Sequence, residues 1–215
     1  MTKIKIAFQG EKGAYSHIAC LEIFKNTEVK NCKTFEETFK TVFEDESYKA
    51  IIPIENSLAG RVADIHYLLP KFKLQIYGEH YQKIEHCLLC KDEAEFKDIK
   101  HVRSHAQAIG QCQEIIKKNN FKSIISADTA GSAKDLSESN DNTIAAIASE
   151  LAAKTYGLKI LKKNIEDEAG NVTRFLVMGK NVSQPRYDKN KKYITTCIFR
   201  LKSEASALYK SLGGF

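Results

Sequence analysis

The sequence lacks the segments that carry a protein into or across a membrane. Its 215 residues contain no apolar run approaching the ~18 to 20 residues that a membrane-spanning helix needs. No basic stretch followed by an apolar one precedes Ile4, so no secretory signal peptide is expected. Internal repeats and low-complexity tracts are absent as well. The sequence therefore predicts a cytoplasmic globular protein that does not bind membranes.

Concentrated positive charge is also missing. The 33 basic and 27 acidic residues leave a mild excess of +6, and the basic residues fall in separate patches. Proteins that bind nucleic acid usually gather this charge on one face of a recognisable module, and none is seen. We expect no nucleic-acid partner, while a small anionic ligand would suit the excess.

The six cysteines do not have the spacing of a metal site. Only Cys87 and Cys90 stand three residues apart, in an apolar stretch typical of a strand, where such residues point to opposite faces. No second Cys or His pair of zinc-knuckle type accompanies them. We expect reduced cysteines packed in the core, and no metal.

Strand and helix patterns alternate along the chain, which indicates an α/β fold with largely parallel sheets. A strand-rich stretch over residues 74–90 separates two such runs. We predict two lobes, the first about residues 1–77 and 159–180 and the second about 78–158, with a cleft between them.

Small, hydroxyl and amide residues gather where four predicted strands meet the following helices. Ligands bind at this edge of an open parallel sheet, where helix N-termini stabilise anions. Each junction alone also fits an ordinary turn or helix cap. Gly10 and Gly13 lack the third glycine of a dinucleotide-binding fingerprint. Together the junctions favour a binding cleft; they are residues 10–16, 55–60, 104–107 and 128–132.

A further unusual feature is Thr173-Arg174 at the mouth of the apolar strand that ends at Gly179. Taken with the junctions, it completes a pattern that resembles prephenate dehydratase, an enzyme of phenylalanine biosynthesis. Six segments match in order; they read GEKGAYS, IPIENSLAGRV, SHAQAIGQC, DTAGSA, AAIAS and NVTRFLV, from about residue 4 to residue 179.

The resemblance implies a two-lobed catalytic region over residues 1–180, like the type 2 periplasmic binding proteins, with the active site in the cleft. It implies a hydro-lyase that needs no cofactor, with Thr173 as its catalytic residue. Because neighbours on a strand face opposite sides, Arg174 should point away from Thr173. The implied substrate-binding residues are Glu55, Asn56, Ser57, Ser104, Gln111, Arg174 and Phe175.

The last part of the chain resembles the start of an ACT domain, the phenylalanine-sensing module of the family. We interpret residues 181–192 as a linker and residues 193–215 as a truncated part of this ferredoxin-like βαββαβ unit. The resemblance implies a homo-oligomer, and phenylalanine as an effector of the intact family protein only.

Two alternatives stay open at this stage. The substrate could be arogenate, the aminated analogue of prephenate, because the sequence does not reveal how that one side-chain carbon is recognised. The same fold also serves as a non-catalytic two-lobed sensor of aromatic acids.

Overall fold

The computed structural model describes residues 3–181, 186–193, 195 and 199–214. The chain forms two compact units, residues 1–182 and 183–215. Two β-sheets with helices on their faces make up the first unit.

The first sheet, with its helices, forms the first lobe. Its strand order is β2-β1-β3-β11-β5, and the short β4 pairs with β3. β1 runs parallel to β2 and β3, whereas β11 is antiparallel to both of its neighbours. The strands are β1 (Ile4–Gln9), β2 (Thr27–Cys32), β3 (Tyr48–Asn56), β4 (Gly60–Arg61), β5 (Gln75–Lys83) and β11 (Val172–Gly179). The helices are α1 (Tyr15–Ile23), α2 (Phe35–Glu44) and α3 (Ala63–Phe72).

The second sheet forms the second lobe, with strand order β10-β6-β9-β7-β8. β7 is parallel to β8 and β9, and β6 is antiparallel to β9 and β10. The strands are β6 (Cys87–Cys90), β7 (His101–His105), β8 (Lys122–Ser126), β9 (Ile144–Ala148) and β10 (Lys159–Lys162). The helices are α4 (Ala106–Gly110), α5 (Gln113–Lys118), α6 (Thr129–Glu138) and α7 (Glu150–Tyr156), with a 3-10 turn at Phe96–Asp98.

Local sequence explains where these helices begin. Thr34 caps α2, because its hydroxyl accepts from the backbone N–H of Glu37 at 3.1 Å. The Glu37 carboxylate reaches back to the N–H of Lys33 at 2.8 Å. Helix α2 then buries Phe39 and Val42 against the sheet. An N-cap of this kind contributes about 1 kcal/mol.

The central strands of both sheets are buried on both faces, which explains the continuous apolar runs in β3, β6, β9 and β11. In the first lobe, Phe8 and Phe175 pack on one face, while Ile52 and Leu176 pack on the other. The second sheet is covered by two further apolar clusters.

Two segments cross between the lobes, residues 84–86 and residues 163–171. They are hydrogen-bonded at both ends of the crossing: the N–H of Ile84 donates to Asn171 O at 2.9 Å, and that of Ile165 donates to His86 O at 3.0 Å. The crossings therefore lie side by side.

Three sequence predictions need correction. The sheets are mixed rather than largely parallel, because β6 and β11 follow crossings and, like the short β4, run antiparallel to the strands they pair with. The strand at residues 159–162 belongs to the second lobe, since it pairs with β6, and the first lobe extends to Lys83 because β5 runs that far. The spacing of apolar residues predicts one helix over residues 107–118, but the helix is broken at Gln111 and Cys112 into α4 and α5.

In the second unit, residues 186–193 carry no helix or strand, and the rings of Tyr187 and Tyr193 stack 5.7 Å apart. The sequence predicts a helix over residues 205–212, and helix α8 (Ala207–Leu212) lies within that range. The sequence pattern predicts a strand over residues 193–201; residues 194 and 196–198 lie outside the described residues, and the described ones carry no strand. Across the described part of the chain, no helix combines the length and apolarity needed to span a membrane.

Candidate active site

A cavity of about 460 Å³ opens between the two sheets. The first lobe lines it from the ends of β1, β3 and β11 and from β4. The second lobe contributes residues at the carboxyl ends of β7 and β8, and His86 and Asn171 come from the two crossings. The cavity therefore lies at the edge of the sheets that the four sequence junctions predict.

Strand pairing places Thr173 opposite Asn56. In the ladder between β11 and β3, Thr173 faces Asn56 and Phe175 faces Pro53, with a shift in register between these two pairs. Proline cannot donate a ladder hydrogen bond, so it occurs in a strand beside such an irregularity. All four of these residues line the cavity.

The orientation of the Asn56 amide is fixed by its neighbours. Its Oδ1 accepts from the backbone N–H of Leu58 at 3.0 Å and of Ala59 at 2.8 Å. Its Nδ2 must then donate, and it does so to Thr173 Oγ1 at 2.9 Å and to Asn171 Oδ1 at 2.6 Å.

This orientation sets the direction of the Thr173 hydroxyl. Since Thr173 Oγ1 accepts from Asn56, the hydroxyl hydrogen does not point at Asn56. No other side chain or backbone group of the described residues accepts it in a hydrogen bond. It is free to donate into the cavity.

The same reasoning assigns the donors and acceptors that lead into the second lobe. Because Asn171 Oδ1 accepts from Asn56, Asn171 Nδ2 donates to Gln111 Oε1 at 2.9 Å. Gln111 Oε1 also lies 3.0 Å from His86 Nε2, so His86 Nε2 carries a proton and donates. A hydrogen-bonded relay thus links Tyr15, His86, Gln111, Asn171, Asn56 and Thr173, in which Gln111 Oε1 accepts from His86 and Asn171 while Asn56 Nδ2 donates to Asn171 and Thr173.

Tyr15 closes the other side of the His86 ring. The single hydrogen of its hydroxyl is shared between two acceptors, Glu85 O at 2.7 Å and His86 Nδ1 at 2.9 Å. Burial is the main cause that lowers the pKa of His86, and burial likewise raises the pKa of Tyr15 well above its usual range. Both side chains are therefore neutral near pH 7, with the His86 proton on Nε2.

Four of the predicted site residues line the cavity: Asn56, Gln111, Thr173 and Phe175. Glu55 and Arg174 are not among the lining residues, and their role in substrate binding stays a prediction. Arg174 Nη1 lies 3.2 Å from Glu55 Oε1, and its Nη2 lies 2.7 Å from Glu79 Oε2. Arg174 thus occupies the strand face opposite Thr173, as strand alternation predicts.

Ser57 and Ser104 are also not among the cavity-lining residues. Ser104 is fully buried, and its hydroxyl donates to Ile147 O at 2.6 Å. The Ser57 hydroxyl accepts from the backbone N–H of Val172 at 2.9 Å. Both serines tie strands together next to the site and do not face the ligand space.

Sequence analysis placed Tyr15 in the first junction without a role of its own, and it assigned no role to two further members of the relay, His86 and Asn171. His86 directly precedes the apolar strand β6, where it reads as part of the core. A buried polar residue needs a hydrogen-bond partner. The burial of His86 and Asn171, which are each 2% exposed or less, is therefore a sign of such a network, and it is visible only in the structure.

The loop at residues 10–13 joins the first lobe to helix α7 of the second. Ser149 caps α7 by accepting from the N–H of Ala152 at 3.0 Å, and its hydroxyl donates to Gly13 O at 2.6 Å. Gly13 has φ +91°, and a Cβ there would lie 2.6 Å from Ala152 Cα. Only glycine permits this close contact.

Comparison with known proteins identifies the relatives of this chain. The chain matches the prephenate dehydratase family over residues 6–183. It is 40% identical over 210 residues to the bifunctional N-acyl-homoserine lactone acylase/prephenate dehydratase of Komagataeibacter europaeus, covering 97% of this chain and 74% of that protein. It is 37% identical to arogenate dehydratase/prephenate dehydratase 2 of Arabidopsis thaliana, covering 100% of this chain and 56% of that one.

A solved structure has the same fold. The prephenate dehydratase of Arthrobacter aurescens in complex with L-Phe superimposes with a TM-score of 0.78 at 27% identity, over 86% of this chain and 63% of that one. The predicted α/β fold with two lobes, of the periplasmic-binding-protein type, is confirmed. Several relatives are longer than this chain, which spans little more than half of the Arabidopsis protein. By its sequence match and its fold, the chain belongs to the prephenate dehydratase family.

Proposed function

We propose that this protein catalyses the decarboxylating dehydration of prephenate to phenylpyruvate. The observation that carries the proposal is the contact between Asn56 and Thr173. It leaves one hydroxyl hydrogen free to donate to an oxygen of the substrate.

The chemistry requires a donor of this kind. In prephenate, the bond between the ring and its carboxylate breaks, and the electron pair becomes a ring double bond. The carbon–oxygen bond at the opposite end of the ring also breaks, and its electron pair leaves with the oxygen. The departing hydroxyl takes up a proton and becomes water. Prephenate dianion and one proton thus give phenylpyruvate, carbon dioxide and water, with no external oxidant or reductant.

Thr173 acts on the leaving oxygen. A threonine hydroxyl is too weak an acid to give up its proton freely, so Thr173 donates a hydrogen bond that strengthens as negative charge develops on the departing oxygen. Its branched Cβ and the Asn56 contact hold the donor in one direction. A positioned donor of this kind is typically worth ~10² to 10³ in rate.

The remaining walls orient the substrate and exclude water. Phe175 and Pro53 offer apolar surface to the ring, while the relay keeps Asn56 and Gln111 in place. Alignment of this kind lowers the barrier by removing the search for a reactive pose.

The direct test is incubation of the purified protein with prephenate and with arogenate in parallel. The expected result is phenylpyruvate from prephenate with the higher kcat/KM, and phenylalanine from arogenate with the lower. The reverse order would make the protein an arogenate dehydratase. Specific binding of either acid without turnover would support the sensor alternative.

Hydrolysis of an N-acyl-homoserine lactone belongs in the same assay, because the Komagataeibacter relative is named for that activity. An acylase needs a hydroxyl that gives its hydrogen bond to a base. Thr173 instead receives one from an amide, which supports the lyase. We expect no lactone hydrolysis above background.

Three further expectations remain predictions: a cytoplasmic location, assembly as a homo-oligomer, and phenylalanine as an effector of the intact family protein. The first is supported by the five described cysteines, which are all free and buried. Burial raises the pKa of Cys20 to about 12, so this thiol is unreactive. Cys197 lies outside the described residues.

A further inference from the structure

The N-terminus of helix α1 forms part of the cavity wall. Gly10, Ala14, Tyr15 and Ser16 line the cavity, and no later residue of this nine-residue helix does. Ala14 holds the N-cap position and makes no side-chain cap. The N–H groups of Tyr15 and Ser16 find no acceptor among the described residues, as is usual in the first turn of an uncapped helix. Two backbone donors are therefore available to a ligand.

The Ser16 hydroxyl gives a second, independent observation. Ser16 is only 7% exposed, yet its side chain has no hydrogen-bond partner among the residues that the structure describes. Such a hydroxyl is uncommon, because burial without a partner costs the hydrogen bonds that water would supply. Its oxygen is nevertheless not sealed from solvent, as that of Tyr77 is. Since Ser16 lines the cavity, this oxygen is reached from the cavity.

Helix α1 lies over the face of the first sheet that carries Thr173. Its residues Ala19 and Cys20 pack with Phe175 of β11, and Thr173 shares the face of Phe175 because the two are two residues apart. The helix follows β1, which is two strands from β11 in the sheet, or about 10 Å. This is roughly the span of a six-membered ring with a hydrogen bond at each end. A ring whose hydroxyl meets Thr173 can thus place a group of its far end at the start of α1.

The charges around the start of α1 favour an anion. The free N–H groups lie at the positive end of the helix dipole. The nearby Glu11 is outside the cavity lining, and its carboxylate lies 3.4 Å from Lys134. Burial and then the charge of Lys12 lower the pKa of His17, so the Lys12 ammonium also acts on the first turn. The one carboxylate among the described lining residues, Asp128, belongs to the second lobe, where it caps α6.

We infer that the start of α1, through the N–H groups of Tyr15 and Ser16 and the Ser16 hydroxyl, binds the substrate carboxylate that is kept in the product. This inference rests on the proposed function. The other carboxylate loses its charge as carbon dioxide departs, so donors bound to it would stabilise the ground state more than the transition state. Donors on the retained carboxylate stabilise both states equally. Their loss should therefore raise KM and leave kcat nearly unchanged.

The experiment measures the affinity of phenylpyruvate by calorimetry, beside the kinetics with prephenate. Ser16→Asp adds a carboxylate that accepts from the free N–H groups and repels an anionic ligand. The Kd of phenylpyruvate and the KM of prephenate should both rise about a hundredfold or more. Thermal stability should stay the same or increase, because an acidic residue in the first turn stabilises a helix. Ser16→Ala removes only the hydroxyl and should raise both constants about tenfold.

Asn26→Asp is the matched control, since Asn26 is exposed, lies outside the cavity lining and receives the same charge in the same lobe. It should leave both constants unchanged. Equal phenylpyruvate affinity of wild type and either Ser16 variant, an equal loss in Asn26→Asp, or no binding of phenylpyruvate to wild type would each overturn the inference. Ser16-dependent binding without prephenate turnover would support the inference and reject the proposed function.

Discussion

Thr173 and Asn56 face each other across the ladder of β11 and β3, and the Asn56 amide donates to the Thr173 hydroxyl at 2.9 Å. The amide is itself held by two backbone N–H groups, so the hydroxyl cannot turn its hydrogen toward it. Strand pairing thus fixes the direction of a single hydrogen bond donor.

The first prediction concerns the donor itself. Thr173→Val keeps the shape of the side chain and suits a strand, and Asn56 Nδ2 retains Asn171 Oδ1 and Val172 O as acceptors. The variant should fold normally and lose ~10² to 10³ in kcat. Thr173→Ser keeps the hydroxyl on a looser side chain and should retain much more activity. The measurements are kcat and thermal unfolding of both variants; a folded, fully active Val variant would remove Thr173 from the mechanism.

The second prediction concerns polarity. In Asn56→Asp the group that faces Thr173 can only accept, so the hydroxyl hydrogen turns toward the carboxylate and away from the substrate. We expect a loss of ~10² in kcat or more, with little change in shape. Asn26→Asp, at an exposed position outside the cavity lining, is the control for the added charge. Activity of Asn56→Asp within a few-fold of this control would show that the amide does not orient Thr173.

The third prediction concerns pH. Burial lowers the pKa of His86 below its ordinary value of 6.5. Below pH 6.5 the unfolded chain therefore binds a proton that the folded protein resists, and this contribution to stability is lost as the pH falls toward the folded pKa. His86→Gln keeps an N–H near the position of Nε2 and does not titrate. Its free energy of unfolding in urea should fall less than that of wild type between pH 7 and pH 5. If the free energies of unfolding of the variant and of wild type fall in parallel between pH 7 and pH 5, the lowered pKa of His86 is contradicted.

The fourth prediction concerns the contact between the lobes. Gly13 and Gly157 both have positive φ, but a Cβ at Gly157 meets nothing within 4 Å, whereas one at Gly13 meets the backbone of Ala152. Gly157→Ala should cost about 1 kcal/mol for the left-handed backbone alone. Gly13→Ala should cost ~1 to 3 kcal/mol more, because it adds a clash in a packed region. Equal losses in urea unfolding would show that the loop moves aside freely.

Much of the site could be predicted because strands have a period of two. Thr173 and Phe175 are two residues apart, so they share a face, and Arg174 must occupy the other. The alternation could not reveal that Arg174 is held there by Glu55 and Glu79, because those residues reach it only through pairing with two different strands.

Ser104 shows a second limit. A serine at the end of a strand reads equally well as a ligand donor and as a structural tie. Its donation to Ile147 O, 43 residues away along the chain, depends on the pairing of the sheet.

The crossing segments explain the remaining misses. His86 and Asn171 lie in short connections whose sequence has no period, so nothing local indicates that they meet. The wrong placement of β10 has a similar cause: its residues fit either sheet, and only the pairing with β6 decides.

The position of the relay on the crossings has a mechanical consequence. Any rotation of one lobe against the other must pivot on the segments that join them, and points close to a pivot travel least. His86 and Asn171 are part of that pivot, and through Asn56 they hold the Thr173 hydroxyl. If the cleft opens or closes, the Thr173 hydroxyl, which is held near the pivot, would therefore be displaced less than the outer walls of the cavity.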